Sequence, residues 1–350
     1  YDIPKINKLT VGRKNALQYN FLGAFMKLVF AIIQRIFYAA ILLLAVIVLN
    51  FFMMHLAPGD IADSIAQTMG GADEEIMNEI RADYGLDKPF LTQLGQYIFK
   101  VAQFDLGYSY FYTQPVTTLI LAKIPATLLL VITSQILALV VGVLLGIQSA
   151  KNPNGISSFI VSMLALFGYA APVFWTGILL LIAFSLKIPI FPVAGMYDVM
   201  VEGNFFVEVL DVLKHLVLPV VTLSSIFLAL YSRLCRASMM EVLGADYIRT
   251  AKAKGLSRNE IIYKHALKNA LSPVITLAGL QLSAVVSGAV LVEAVYSWPG
   301  LGTLAFNSIL SRDTPTILGI LFFSSLVVIV GNLLTDLILR LIDPRMRDSE

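Results

Sequence analysis

The sequence predicts an all-α, polytopic membrane helix bundle of six transmembrane helices with a small external helical cap. Three observations carry that prediction. The chain is 58% hydrophobic and 14% charged, with a mean hydropathy of +0.81, whereas a soluble domain is about 45–50% apolar and about 25% charged. The apolar excess is gathered in runs of roughly 20 residues, the length that crosses a hydrocarbon core about 30 Å thick. Lys and Arg are distributed unevenly over the segments between the runs, as expected of a spanning chain.

Six spans are read in order: 36–56, 125–150, 157–186, 216–232, 273–297 and 316–339. The first has an apolar core longer than a secretory h-region. It is followed by Pro58-Gly59-Asp60 rather than a small-x-small cleavage site, so it reads as a retained helix. With the N-terminus inside, inner segments hold 18 of the 25 Lys and Arg and outer segments hold 7. The split places both tails, 1–35 and 341–350, in the cytoplasm. Nine acids between Asp60 and Asp105 lie on the other side.

The first outer segment, 58–124, is more than a linker. "GADEEIMNEIRADYG" reads as a helix with acids in its first turn, which suits the macrodipole. Ile76, Met77, Ile80 and Tyr84 share a face, and Gly85 is the expected stop. "KPFLTQLGQYIFKVA" reads as a second helix, with Pro89 at its start and a stripe of Leu91, Leu94, Ile98 and Val101. Pro115 and Pro125 bracket the return to the membrane. Between spans five and six, "WPGLG" breaks any helix. The apolar stretch after it is too short to span and reads as re-entrant or interfacial.

The segment 233–272 is the second substantial polar region. It holds Arg233, Arg236, Arg249, Lys252, Lys254, Arg258, Lys264 and Lys268. Helical character runs on from span four to Gly244, and Asp246 is expected to cap a new short helix. Tyr247, Ile248 and Ala251 give that helix an apolar edge; Arg249, Lys252 and Lys254 give it a basic one. Gly255 stands where a left-handed C′ residue belongs. Ser257-Arg258-Asn259-Glu260 is a capping-box sequence for a further helix. A pure charge anchor on anionic lipid needs no such sequence of caps and stops. A presented helix with an apolar edge and several cations suits docking to another protein.

Other polar residues in spans have two readings. Gln135, Gln281 and Asn332 are either interhelical hydrogen-bonding glue or candidates for a translocation path, glue being the commoner role. Glu293 and Asp336 are acids near or within spans, where acids are functional candidates; the structural reading is favoured because span ends tolerate charge. Gly142, Gly146, Gly279, Gly288 and Gly331 suit close helix approach. The histidines, His55, His215 and His265, are far apart and read as packing rather than metal sites. The single cysteine, Cys235, excludes an intrachain disulfide and reads as a small packing residue. The chain has no G-x-x-x-x-G-K-[ST] phosphate loop, so it does not hydrolyse ATP itself, and no anchored nucleophile–base pair marks it as an enzyme.

The basic stretch resembles the cytoplasmic EAA loop of ATP-binding-cassette importer permeases. Arg249-Thr250-Ala251 stands in the E-A-A place, Gly255 is its glycine, and His265-Ala266-Leu267 stands at Ile-x-Leu, with Lys268 in place of the proline. These departures match the "RTA-x-AKGL…HAL-x-NAL" variant of the peptide/nickel branch. "FFMMHLAPGD", "YGLDKPF", "DLGYS", "IPATLLL", "VEAVYSWPGLG" and "DLILRLIDPRMR" are similar to that branch in the same order. The resemblance spans 36–347 and implies a permease domain at 36–340 in a bacterial cytoplasmic (inner) membrane. It implies a second permease subunit, two cytoplasmic ATPase subunits that bind ATP and Mg, and an external solute-binding protein. It implies that Asp246, Tyr247, Ile248, Arg249, Thr250, Ala251, Lys252, Lys254 and Gly255 form the ATPase-docking loop. No cofactor in this chain and no nucleic-acid partner are expected. Short peptides lead as substrate; nickel chelates, glutathione-like solutes, or an ion-coupled secondary transporter are the alternatives.

Overall fold

A computed structural model describes residues 30, 33–56, 62, 71, 74–83, 88–200 and 203–342. The first span is α1, Ile33–Leu56. The outer segment folds as α2 (Glu74–Asp83) and α3 (Phe90–Ala102), as the sequence predicts. A short antiparallel hairpin follows, β1 (Tyr108–Ser109) with β2 (Gln114–Pro115), pairing Tyr108 with Pro115. The chain then enters α4 (Val116–Lys151), α5 (Ile156–Ala170) and α6 (Val173–Leu181), which ends in a π-turn, Ile182–Lys187. Next come α7 (Phe205–Leu243) and α8 (Asp246–Ala253). The one-turn α9 (Arg258–Glu260) runs through a second π-turn, Ile261–Ala266, into α10 (Leu267–Leu280). The chain closes with α11 (Leu282–Tyr296), α12 (Leu301–Leu310) and α13 (Thr314–Ile342).

Four of these helices are long and apolar enough to cross a membrane, and two bent pairs raise the number to as many as six. One pair is Ile156–Ala170 with Val173–Lys187, bent by 107°. The bend has a local cause: Ala171 precedes Pro172 and takes extended backbone (φ −78, ψ 133), because the proline ring disfavours α geometry there. The other is Ala289–Tyr296 with Leu301–Leu310, bent by 76°. The expected re-entrant or interfacial stretch after "WPGLG" is therefore the helix α12.

Three expectations are corrected. Pro125 and Pro273 do not open their spans; both lie inside helices, as does Pro219. The helix that carries the second span begins at Val116, nine residues before Pro125. Inside a bundle, neighbouring helices re-satisfy the backbone groups a proline frees, so proline does not mark a boundary as it would in water. In the cap, Leu91 is 78% exposed and leaves the expected stripe, while Val101 is buried. Ile80 and Met77 pack with Tyr110. Tyr84, Gly85 and the Asp336 side chain lie outside the described residues, as does the packing around Gly288.

The core lies where α4 and α7 pack along each other. Gly142 faces Tyr231, and a Cβ on Gly146 would stand 2.6 Å from the Cβ of Cys235. Cys235 is fully buried against that contact, as its packing role requires. The cap is tied down by polar contacts. Ser109 Oγ and Thr316 Oγ1 each donate to Asp313 Oδ2 at 2.6 Å, joining the hairpin to the start of α13. Tyr97 packs on Phe51 of α1, and burial pushes its hydroxyl up to about 12.

Candidate functional site

The basic segment is built by α8 and its flanks. Span four continues as one helix to Leu243, and Gly244 closes it. Ala245, in extended backbone (φ −70, ψ 152), then occupies the N-cap position of α8. Asp246 is not the cap: it is the first helical residue, with no side-chain bond to the helix N-terminus. Its carboxylate lies 3.2 Å from Arg249 instead, on the surface. The chain turns extended one residue earlier than the motif suggests. At the first helical position an acid still suits the macrodipole.

The two edges of α8 are not equivalent. Ile248 is fully buried and Ala251 is 6% exposed; both join Ile261, Ile262 and Ala266 in the core of this chain. The expected docking edge thus faces this chain's own bundle at these two residues. Their burial mounts α8 on the bundle. Tyr247 is 43% exposed, and its hydroxyl accepts from Asn269 Nδ2 at 2.8 Å. Arg249, Thr250, Lys252 and Lys254 complete an exposed face.

The stop and restart are as the sequence predicts. Gly255 has φ +78. Its N–H reaches Lys252 O (3.0 Å) and the Leu256 N–H reaches Ala251 O (3.4 Å), the double bond pattern of a Schellman stop. In the capping box, Glu260 N–H donates to Ser257 Oγ and Ser257 N–H donates to Glu260 Oε2. Those bonds from Ser257, side chain first, hold the Glu260 carboxyl below the usual carboxylate range.

The segment is also tied to the turn between α4 and α5. Arg258 Nη2 donates to the Lys151 carbonyl oxygen at 2.6 Å, and Lys151 Nζ donates to the Tyr263 hydroxyl at 3.1 Å. The same ammonium lies 5.0 Å from the Tyr263 ring centroid. Arg236 reaches that turn from α7: Nη2 donates to Pro153 O, and Nη1 to Ser162 Oγ on α5.

The four path candidates separate. Gln135 Nε2 donates to Tyr231 Oη (2.8 Å) and Ala278 O (2.9 Å), so it is glue joining α4, α7 and α10. Gln281 is half-buried at the break between α10 and α11, and Asn332 is exposed on α13. Glu293 is fully buried and held by this chain's own hydrogen bonds, in line with the structural reading. It accepts from Thr127 Oγ1 (2.7 Å), Gly302 N (2.6 Å) and Thr303 N (3.3 Å).

Thr127 in turn accepts from Leu301 N (2.8 Å), and Trp298 Nε1 donates to Ala126 O (2.8 Å). The "WPGLG" turn is thus clamped onto α4 by a buried carboxylate. A Cβ on Gly300 would collide with that carboxylate. Sequence reading missed Thr127 and Asp313. The turn glycines seven and nine residues after a lone acid were the available signal for the first; nothing local marked the second.

Among the described residues no group of three His, Cys, Asp or Glu could hold a metal ion. His55 contacts Phe51 O and Gln93 Oε1, and His215 contacts Asp211 O.

Residues 142–348 match the family described as "Binding-protein-dependent transport system inner membrane component". Residues 28–131 match its N-terminal companion. The chain is 37% identical over 317 residues to the oligopeptide transport system permease protein AppB of Bacillus subtilis, covering 90% of this chain and 98% of that one. It is 36% identical over 328 residues to the dipeptide transport system permease protein DppB of Escherichia coli, covering 88% and 95%. An inward-facing structure of the MetNI methionine ABC transporter is similar in fold. Its TM-score is 0.51 at 17% identity, over 64% of this chain and 96% of that one.

Proposed function

This chain belongs to the family of binding-protein-dependent transport system inner membrane components, and on that footing we propose that it is a permease subunit of an ATP-driven importer of short peptides. Relatives named for oligopeptide and dipeptide transport, aligned over most of both chains, support the substrate class. The pore is completed by a second permease subunit, a paralogue. Two cytoplasmic ATPase subunits supply energy, and an external binding protein delivers the solute. This chain contributes no catalytic group and no cofactor site. In this reading both termini lie in the cytoplasm, which the uneven distribution of Lys and Arg supports.

The observation that carries the docking assignment is the asymmetry of α8. Ile248 and Ala251 root the helix in the bundle, while Tyr247, Arg249, Thr250, Lys252 and Lys254 face outward. Asp246 and Gly255 bound the element. A helix held this way transmits a push from the ATPase into the bundle. Two ATPase states that bind α8 differently then bias two arrangements of the helices. Gln281 and Asn332 remain the candidates for path residues.

Co-purification tests the docking face. Replacing Arg249, Lys252 and Lys254 together by Glu leaves the permease folded and releases the ATPase subunits. An ATPase that stays bound and coupled to the triple variant overturns the assignment.

A further inference from the structure

Two arginines lie three residues apart near the inner end of α7, and they are treated differently. Arg236 is committed to this chain through Ser162 Oγ and Pro153 O. Arg233 is exposed, and among the described residues no group accepts from its guanidinium. It sits ten residues before Leu243, about 15 Å back along the helix. That places it at the boundary between span four and the basic segment, where an arginine facing a water-filled cavity is a candidate for a solute pathway.

Arg233 does face cavities. It lines one of about 560 Å³ together with Ser162, Leu166 and Met240, and another of about 410 Å³ together with Tyr169 and Leu277. On α7 the first takes Arg233, Arg236, Ala237 and Met240; the second takes Ala229, Leu230, Arg233 and Leu234. These positions recur at helical spacing on one face, so the cavities lie end to end and share the guanidinium. The groove lies between α7 and α5, with Leu277 of α10 lining its second cavity, and has mostly apolar walls and one uncommitted cation. An extended solute with variable side chains and one carboxylate suits that lining. Arg presents a planar fork that matches a carboxylate through two parallel bonds. The groove is connected to the basic segment: Arg236 ties it to the α4–α5 turn, which Arg258 ties to that segment.

We propose that Arg233 is a carboxylate-binding residue of the translocation path, receiving the terminal carboxylate of a peptide as it passes towards the cytoplasm. The proposal rests on the importer reading above. Proteoliposomes carrying the complete complex test it, with Ala-Ala-Ala and its C-terminal amide as probes. Wild-type ATP-dependent uptake of either probe upholds the importer reading on its own terms, whatever Arg233 does.

Arg233→Gln is expected to lower the ratio of acid to amide uptake about tenfold, with ATP hydrolysis and ATPase association retained. Arg233→Lys, which keeps the charge and loses the fork, is expected to fall between; it also serves if the Gln variant does not assemble. An unchanged ratio, or equal loss of both probes, overturns the proposal. Vesicles of phosphatidylcholine with and without phosphatidylglycerol separate the other source of an anion. If Arg233→Gln removes only a dependence on phosphatidylglycerol, the guanidinium holds a lipid phosphate and the proposal fails.

Discussion

Arg258 in the basic segment donates to the Lys151 carbonyl oxygen at 2.6 Å, across 107 residues of chain. The bond ends α4 and begins the restart after Gly255, so one side chain links a long spanning helix to the proposed docking element. The bond lies on the exposed surface, so its contribution to stability is under about 1 kcal/mol. Its value is mechanical. Arg258→Gln is expected to leave the melting temperature within a few degrees and ATPase binding intact, while ATP-driven uptake falls several-fold. Unaltered uptake per ATP hydrolysed would show that the turn is not driven through Arg258.

Ile248 distinguishes mounting from gripping. Its side chain is fully buried within this chain, and Ile→Ala in a core costs about 2–5 kcal/mol. Ile248→Ala is expected to destabilise the isolated permease in a detergent melt, without any ATPase present. A normal melt combined with lost ATPase binding would return Ile248 to the docking face.

Gly255 turns at φ +78 in open space, with nothing within 4 Å of an added Cβ. The cost of a side chain there is conformational, about 1–2 kcal/mol. Gly255→Ala is therefore expected to loosen α8 and raise proteolysis between Lys254 and Arg258. Gly255→Asn is expected to be milder, because asparagine tolerates the left-handed region. Equal effects of Ala and Asn would contradict this account.

The capping box has a pH signature. Glu260 is held below its ordinary value by Ser257, so the folded state prefers the carboxylate. The contribution is full above the unfolded value of about 4.3 and is lost as pH falls through the lower folded value. The melting-temperature gap between wild type and Glu260→Gln is expected to be constant above about pH 5 and to shrink below it. A gap that does not change with pH would mean that the box does not form.

Thr127 both donates to Glu293 and accepts from Leu301 N–H, all out of solvent. Thr127→Val takes these bonds from Glu293 Oε1 and the Leu301 N–H, at about 1–3 kcal/mol for each, while Glu293 Oε2 keeps Gly302 and Thr303. A lower midpoint in mixed-detergent unfolding is expected for Val, with recovery for Thr127→Ser. A Ser variant as unstable as Val would place the loss in packing.

The spans, the two cap helices, the Schellman stop and the Ser257–Glu260 box were all legible in the sequence. Each depends on residues within a few positions of one another, so local backbone chemistry and apolar run length determine them. The prolines misled because their effect depends on surroundings. Pro125, Pro219 and Pro273 sit inside helices that a bundle can repair. Asp246 misled by one residue, because the backbone at Ala245 decides which position is the cap.

By itself, the sequence determined that the chain has apolar runs long enough to span a membrane and how the basic segment stops and restarts. Tertiary structure decided which of its residues are available. Ile248 and Ala251 look like a surface stripe until Ile261, Ile262 and Ala266 cover them. Glu293 looks like an interfacial acid until Thr127 and the Gly302 amide enclose it. Arg233 and Arg236 look alike until only one finds Ser162 and Pro153. Whether a polar or apolar group is spent on the fold or left for function depends on neighbours far away in the chain, and pattern along the chain does not encode them.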